Sequence, residues 1–292
     1  MLLNKRPPLK YIFNKVKMEL MYVSITALVV YYIIWEFKHV IPEIPLNIPT
    51  FLGTAISVIL SFKLSQSYDR WWEARKIWGS IVNDSRNLML QFQSFVSAEA
   101  GDIVRKIAYR QIAWCYCLGR SLRGQNATDQ LERYLTEGDL QLLGNHHNKP
   151  LGILQQNTVD IYKLRTSGHL DLFSHVQLNN TMVSLTNSMG MAERIKSTVF
   201  PVTYRIFLHM IIYVFVITLS IALRHTVGYF EIPLLLIMTS FFFLLERTAT
   251  HLQDPFSNMP TDTAMTAIAT TIEINIRQLL GETNVPAPAK IR

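Results

Sequence analysis

The chain has 292 residues, of which 49% are apolar and 17% are charged, and its formal net charge is +7. Soluble domains carry about 25% charged residues, so this composition argues against an ordinary soluble protein. The charge deficit is concentrated in four uncharged runs, which are Leu20–Trp35, Ile44–Phe62, Ile206–Leu223 and Ile232–Leu245. Charged residues return between and around these runs, as expected for apolar spans that flank a large water-facing region.

These runs predict membrane spans, although they are short. They contain 16, 19, 18 and 14 residues, whereas about 20 helical residues are needed to cross ~30 Å of hydrocarbon. Core helices of a soluble protein are the alternative. Charged residues at the run ends can extend a span by snorkelling, and aromatic residues cluster there, as at Trp35 and Tyr229. We therefore expect four transmembrane helices, at about 20–37, 50–66, 204–223 and 231–247.

The distribution of basic residues predicts the orientation of the spans. Only Lys38 lies between spans one and two, and only Arg224 lies between spans three and four. Short loops that are poor in lysine and arginine face the outside, so we expect both termini to be cytoplasmic. Cytoplasmic helical regions are then expected at 67–203 and 248–292. The positive net charge is accounted for by this topology, and no nucleic-acid partner is predicted.

The rest of the chain reads as helices joined by polar loops. Span two shows no helix breaker before Lys63–Arg70, which predicts one long helix that continues beyond the membrane. Loops are expected at Gly124, at Gly138-Asp139 and at Gly144–Pro150, and a final amphipathic helix is expected to open at Pro260. No strand alternation is visible, so the predicted fold class is all-α. Enzyme signatures, a metal-ligand set and a cofactor motif are missing, and we predict that the protein is not an enzyme.

Span two carries two adjacent stripes of residues at fourfold spacing. Gly53, Ser57 and Ser61 form a stripe of small residues, which allows close approach of helices. Thr54, Val58 and Phe62 form the neighbouring stripe, in which bulk rises along the helix. Packed around an axis in several copies, this second stripe would form a hydrophobic constriction. Within a monomer the same pattern is ordinary core, and the pattern alone leaves both interpretations open.

One ionisable residue, His209, falls inside span three. An ionisable group within a membrane is a candidate functional residue by default. Close to the interface, a histidine can instead serve only as a local hydrogen-bonding group. The sequence leaves this choice open.

Two segments of the sequence resemble a known protein family. Leu52–Phe62 followed by Ser65–Gly79, a stretch that includes Arg70 and Trp71, is similar to the bestrophin family and particularly to its bacterial and plant-type members. A second match is the tripeptide Asp254-Pro255-Phe256 after span four. The resemblance extends over nearly the whole chain. It implies one bestrophin-type channel domain over residues 1–292 and a multi-pass protein of the bacterial inner membrane.

The resemblance also implies a homopentamer with a central pore. Its neck would be lined by Thr54, Val58 and Phe62 of the second span. Family necks carry bulky apolar residues at all three levels, so the smaller Thr54 and Val58 imply a wider or more easily wetted neck. A second constriction at the cytoplasmic exit, counted back from Pro201, would fall at Phe173.

The implied partners are further copies of the chain, the lipid bilayer and small inorganic ions, chloride first among them. A bestrophin homologue that conducts monovalent cations is one alternative, and a non-conducting membrane scaffold or receptor subunit is another. Lys63 follows the predicted neck directly. Five copies facing the axis would favour anions, whereas a Lys63 that snorkels to lipid headgroups would have no such effect.

Calcium activation is not expected. Calcium-activated animal members follow the Pro-Phe pair with a run of acidic residues, whereas Ser257–Asp262 contains a single carboxylate here. Calcium takes six to eight oxygen ligands, several of them from carboxylates. Currents from the protein in lipid bilayers should therefore be unchanged by a calcium chelator, and loss of current on chelation would contradict the prediction.

Overall fold

The structure is a computed structural model that describes residues 9–37, 40–198, 201–223, 230–259 and 261–289, with side chains from residue 14 onward. Lys38, Arg224, Tyr229 and Pro260 lie outside the described residues. Over the described ranges the chain forms nine α-helices and two short 3-10 helices, with no strand. The all-α prediction is confirmed.

The helices follow one another with short connections. Their bounds are α1 Leu9–Glu36, α2 Asn47–Phe95, α3 Gly101–Leu122, α4 Glu137–Gly144, α5 Lys149–Thr166, α6 Leu172–Ser197, α7 Val202–Leu223, α8 Glu231–Gln253 and α9 Met265–Leu279. The 3-10 helices are Ala98–Ala100 and Leu131–Arg133. The prediction that span two continues as one long helix is confirmed, because α2 is unbroken over 49 residues.

Four helices among the described residues are long and apolar enough to cross a membrane. They are Asn14–Glu36 within α1, α2, α7 and α8, with 23, 49, 22 and 23 residues. Each exceeds the roughly 20 residues that a span requires. The shortness of the uncharged runs is therefore no obstacle to spanning, because the helices continue past the charged residues that end the runs.

The chain divides into two compact units. The span unit comprises Leu3–Trp71 and Val199–Asp254, and the bundle unit comprises Trp72–Thr198 and Pro255–Arg292. In the span unit, α1 packs against α7 and α8, and α7 packs against α8. The buried core of this unit includes Ile56 of α2, Phe215 of α7 and Phe243 of α8.

In the bundle unit, α3 is the central helix and packs against α5, α6 and α9. Most of its C-terminal half is buried, including Trp114 and both cysteines of the chain, Cys115 and Cys117, which are free thiols. The second half of α2 contributes Trp78 and Phe92 to the same core.

A buried charge network connects α3, α4 and α5 of the bundle unit. The Arg110 guanidinium donates to Asp139 at 2.5 Å and to Asp160 at 2.6 Å, and its side chain is only 4% exposed. Lys163 donates to the second oxygen of Asp160 at 2.9 Å. Burial opposes ionisation of both carboxylates. The hydrogen bonds from Arg110 and its neighbours outweigh it and lower the pKa of Asp139 and the pKa of Asp160.

This network predicts a loss of stability in acid. A carboxylate with a depressed pKa in the folded state stabilises the fold at pH values above its unfolded pKa of about 4, and this contribution disappears as the pH falls towards the folded value. Asp160→Asn should therefore cost about 1.5–3 kcal/mol of unfolding free energy at pH 6 and markedly less at pH 3. Unfolding of the purified protein in detergent at the two pH values tests this; a pH-independent cost would contradict it.

One predicted loop is helical. Gly138-Asp139 lies in the first turn of α4 instead of in a connection. Thr136 accepts a hydrogen bond from the Asp139 backbone amide, and the Asp139 carboxylate accepts one from the Thr136 amide, so the two residues form a capping box. The cap stabilises the helix start and outweighs the low helix propensity of Gly138.

Candidate functional site

The first half of α2 presents one exposed face in the span unit. Thr54, Val58 and Phe62 all lie on it, with Val58 50% and Phe62 67% exposed. The opposite face carries Ile56 and Leu60, which are fully buried in the core. The fourfold spacing found in the sequence therefore corresponds to a real helix face. That these three residues line the neck of a pore remains a prediction.

The neighbouring stripe of small residues is divided between two environments. Gly53 faces α7, where an added Cβ would lie 3.1 Å from the Phe215 ring, so the glycine permits close packing within one chain. Ser57 and Ser61 are exposed. Their predicted role in packing between helices around a pore stays a prediction.

The exposed face of α2 differs in composition from those of the other candidate spans. Six residues are exposed between positions 54 and 65 of α2, namely Thr54, Ser57, Val58, Ser61, Phe62 and Ser65. Four of them, the threonine and the three serines, carry hydroxyl groups. Within the uncharged runs of α1, α7 and α8, the exposed residues are apolar or aromatic throughout, including Ile25, Leu28, Tyr32, Ile206, Met210, Val214, Ile237 and Phe241. Apolar faces of this kind suit contact with lipid, whereas small and hydroxylated faces are typical of helix interfaces.

Lys63 lies on the buried side of α2, directly after Phe62. Its ammonium donates to Glu246 Oε1 at 2.8 Å and to Thr250 Oγ1 at 3.1 Å, and the two charged side chains are 2% and 1% exposed. The Thr250 hydroxyl in turn donates to Glu246 at 2.9 Å. Lys63 therefore neither faces outward beside the predicted neck nor snorkels to an interface, because its charge is neutralised within the chain.

His209 of α7 lies beside this ion pair. Its Nε2 is 3.7 Å from the second carboxylate oxygen of Glu246, and its ring meets the Phe243 ring edge-on at 5.4 Å between centroids. The histidine is thus an inward-facing neighbour of a buried carboxylate, which favours a structural role within the chain.

Other charged residues at the ends of the uncharged runs are also paired internally. Glu19 of α1 forms an ion pair with Arg247 of α8, and the buried Glu231 at the start of α8 accepts a hydrogen bond from Ser220 of α7. The snorkelling suggested by the sequence is not what these side chains do. They connect neighbouring helices.

Arg70, from the middle of α2, and the tripeptide Asp254-Pro255-Phe256 represent the two sequence landmarks at the C-terminal end of α8. The Arg70 guanidinium donates at 2.6 Å to the carbonyl oxygen of Gln253, the last residue of α8, where cations are favoured. Trp71 is half-buried, as is Asp254, the C-cap residue that follows α8. Pro255 and Phe256 are buried, and Phe256 belongs to the core of the bundle unit.

Phe173, the predicted second constriction, lies in the first turn of α6 in the bundle unit. Asp171 caps this helix by accepting hydrogen bonds from the amides of Phe173 and Ser174. The Phe173 side chain is 86% exposed, which is unusual for phenylalanine. Its place at an aperture stays a prediction.

A sequence model of the family described as Bacterial/Fungal Bestrophin protein matches residues 10–278. The chain belongs to the bestrophin family. It is thus a membrane protein, in agreement with its four candidate spans.

Named relatives of this bestrophin extend over most of the chain. The "Voltage-dependent anion channel-forming protein YneE" of Escherichia coli K12 is 29% identical over 277 residues, which cover 94% of this chain and 90% of the relative. The protein of the same name from Salmonella typhimurium is 33% identical over 240 residues, with 81% and 77% coverage.

Solved structures agree with the fold. A crystal structure of a bacterial bestrophin homologue from Klebsiella pneumoniae has a TM-score of 0.85 and 25% identity, and the match covers 92% of this chain and all of that one. A crystal structure of a mutant of the Klebsiella homologue has the same TM-score and identity, and that match covers 93% of this chain and 98% of the mutant.

Sequence reasoning about this bestrophin missed the group of Lys63, Glu246 and Thr250. Two signals were available: a lysine at the end of one apolar run and a glutamate at the end of another. A charge in a predicted span needs a partner, so pairing the two would have been a sound hypothesis.

Proposed function

We propose that the chain is an ion channel that conducts small monovalent anions, chloride among them, through a homopentameric pore. The first half of α2 lines the neck, with Thr54, Val58 and Phe62 facing the axis, and Phe173 lines the cytoplasmic aperture. The two compact units together make one channel domain over residues 1–292. The protein resides in the inner membrane of a bacterium, with both termini and the bundle unit in the cytoplasm.

The observation that carries the proposal is the exposed face of α2. A span surrounded by lipid gains nothing from hydroxyl groups, yet four of six exposed residues between 54 and 65 carry them. Two of these hydroxyl groups have backbone partners in the same helix, because Thr54 donates to the Thr50 carbonyl and Ser57 to the Gly53 carbonyl. Such a face tolerates both close neighbours and passing ions, and a single span needs further copies to enclose a conduit.

Anion preference is supported by the names of the relatives, which are called voltage-dependent anion channel-forming proteins. The neck itself supplies no charge, because the exposed residues of α2 from 54 to 65 are uncharged and the neighbouring Lys63 is neutralised by Glu246. We therefore assign the preference to residues outside the neck. A neck of neutral residues is also compatible with cations, and this keeps a cation-conducting bestrophin as the second candidate.

The deciding measurement is the reversal potential of single channels in an asymmetric potassium chloride gradient, recorded from purified protein in a planar bilayer. A reversal potential near the chloride equilibrium value supports the proposal. A value near the potassium equilibrium value selects the cation channel. If the protein gives neither current in the bilayer nor ion flux from liposomes, both the anion channel and the cation channel are contradicted, and a non-conducting scaffold is left.

A further inference from the structure

A basic cavity lies in the bundle unit, apart from every residue assigned to the channel. It has a volume of about 290 Å³ and is bounded by the end of α3, the segment with the 3-10 helix Leu131–Arg133, and the first turns of α9. This volume is close to the lower end of the range for small-molecule sites. The cavity can therefore hold a compact metabolite but not a large cofactor.

Three guanidinium groups line this cavity, from Arg120, Arg123 and Arg133, and every lining residue belongs to the described part of the chain. Among those residues none is acidic. Asp129 lies 3.6 Å from Arg120 and is itself 55% exposed, so water screens it. The lining thus carries positive charge both from the end of α3 and from the 3-10 helix Leu131–Arg133. Arginines recognise oxyanions by their forked geometry.

Two of these arginines have buried donors with no acceptor among the described protein atoms. They are Nη1 of Arg120 and Nε of Arg123. Arg123 donates through Nη1 to Thr266 at 2.7 Å, and burial lowers the pKa of its guanidinium. Both of these donor atoms are buried, with almost no accessible surface, so a ligand in the cavity would contact the other nitrogens of these guanidiniums and not these two.

The remaining lining is neutral and of two kinds. Gln125, Gln130 and Thr270 offer hydrogen-bonding groups, whereas Met265 and Ala269 are apolar. Two tyrosines, Tyr116 and Tyr134, also line the cavity. The nearby Glu273 carboxylate already accepts hydrogen bonds from their hydroxyl groups, at 2.8 Å and 2.9 Å. The two tyrosine rings stack at 5.6 Å and form a stiff wall.

The thiol in the lining does not compete as an anion. Burial raises the pKa of Cys115 to about 12, so the group remains neutral at physiological pH. The cavity lining therefore contains cationic and neutral polar groups and no anionic group.

We propose that this cavity binds a small phosphoester of about the size of a sugar phosphate. The phosphate contacts Arg120, Arg123 and Arg133, and the hydroxylated organic part contacts Gln125, Gln130 and Thr270. A phosphate carries a charge between −1.5 and −2 at pH 7 and offers three acceptor oxygens. It therefore matches three guanidinium groups better than a carboxylate, which has a single charge and two oxygens. Chloride alone would leave most of the volume and the neutral polar groups unused.

The test is equilibrium dialysis of the full-length protein in detergent, at low salt, with three probes: ribose 5-phosphate, ribose and inorganic phosphate. Ribose 5-phosphate should bind, ribose should not, and inorganic phosphate should bind at least about tenfold more weakly. Arg133→Gln removes an exposed guanidinium from the cavity, so the fold should tolerate it, and it should weaken ribose 5-phosphate binding by about tenfold or more. Arg120→Gln should act in the same direction.

The matched control is Arg105→Gln, which removes an equal charge at an exposed position outside the cavity, from α3, the helix that also carries Arg120. It should leave binding unchanged. The proposal is overturned if ribose 5-phosphate fails to bind at millimolar concentration, if inorganic phosphate binds as tightly, or if the control weakens binding as much as Arg133→Gln. Because dialysis needs no current, its result is independent of whether the protein conducts ions.

Discussion

Phe62→Ala should raise single-channel conductance or open probability severalfold. In the proposed pentamer, five Phe62 rings surround the narrowest and most apolar level of the neck, where hydrophobic rings obstruct ions by excluding water. Removing them widens the pore and admits water. Because the Phe62 side chain is 67% exposed in the protomer, the substitution leaves no internal cavity and should not unfold the chain.

The matched control is Phe241→Ala. Phe241 is 62% exposed on α8 in the same unit, on a face whose exposed residues are apolar like those of lipid-facing spans. Replacing the Phe241 ring by a methyl group should leave single-channel conductance unchanged. Single-channel recordings of both variants beside the unmodified protein separate the two positions. Equal currents in all three would place Phe62 away from the ion path.

Lys63→Met should destabilise the protein by about 3–5 kcal/mol, because it leaves the Glu246 carboxylate buried without its counter-charge. The side chains of this pair are 2% and 1% exposed, so water cannot replace the lost partner. The measurement is reversible unfolding by denaturant in detergent micelles. If the ion pair forms late in folding, the loss of stability should appear mainly as a faster unfolding rate.

The double variant Lys63→Met/Glu246→Gln provides the control. It removes both charges and keeps an amide that can still bond Thr250, so most of the lost stability should return. A double variant as unstable as Lys63→Met alone would mean that the lysine acts through packing and not through the ion pair.

The long second helix could be predicted because its signal is local. No proline or glycine interrupts the pattern between Gly53 and Gly79, and the same spacing identifies the face that carries Val58. The structure confirms both the continuous helix and the common face. Periodicity does not show the environment of each helix face, so the sequence left a pore lining and ordinary core as alternatives for this stripe.

The partner of Lys63 was harder to predict, because Glu246 is 183 residues away along the chain. A single sequence states which residues are charged, but only the packing of α2 against α8 brings these two together. The capping box at Thr136 is the opposite case. Its residues are three apart, so the signal was present, and Gly138 between them pointed to a turn instead.

The neighbouring positions of Phe62 and Lys63 limit how the proposed pore can open. Successive residues point about 100° apart around an α-helix, so a rotation of α2 that withdrew the Phe62 ring would also pull Lys63 away from Glu246. Such a rotation must break a buried ion pair, whereas a change of the Phe62 rotamer, or a tilt of α2 together with α8, leaves the pair intact. The ion pair therefore fixes the rotational setting of the helix and favours opening motions that preserve it.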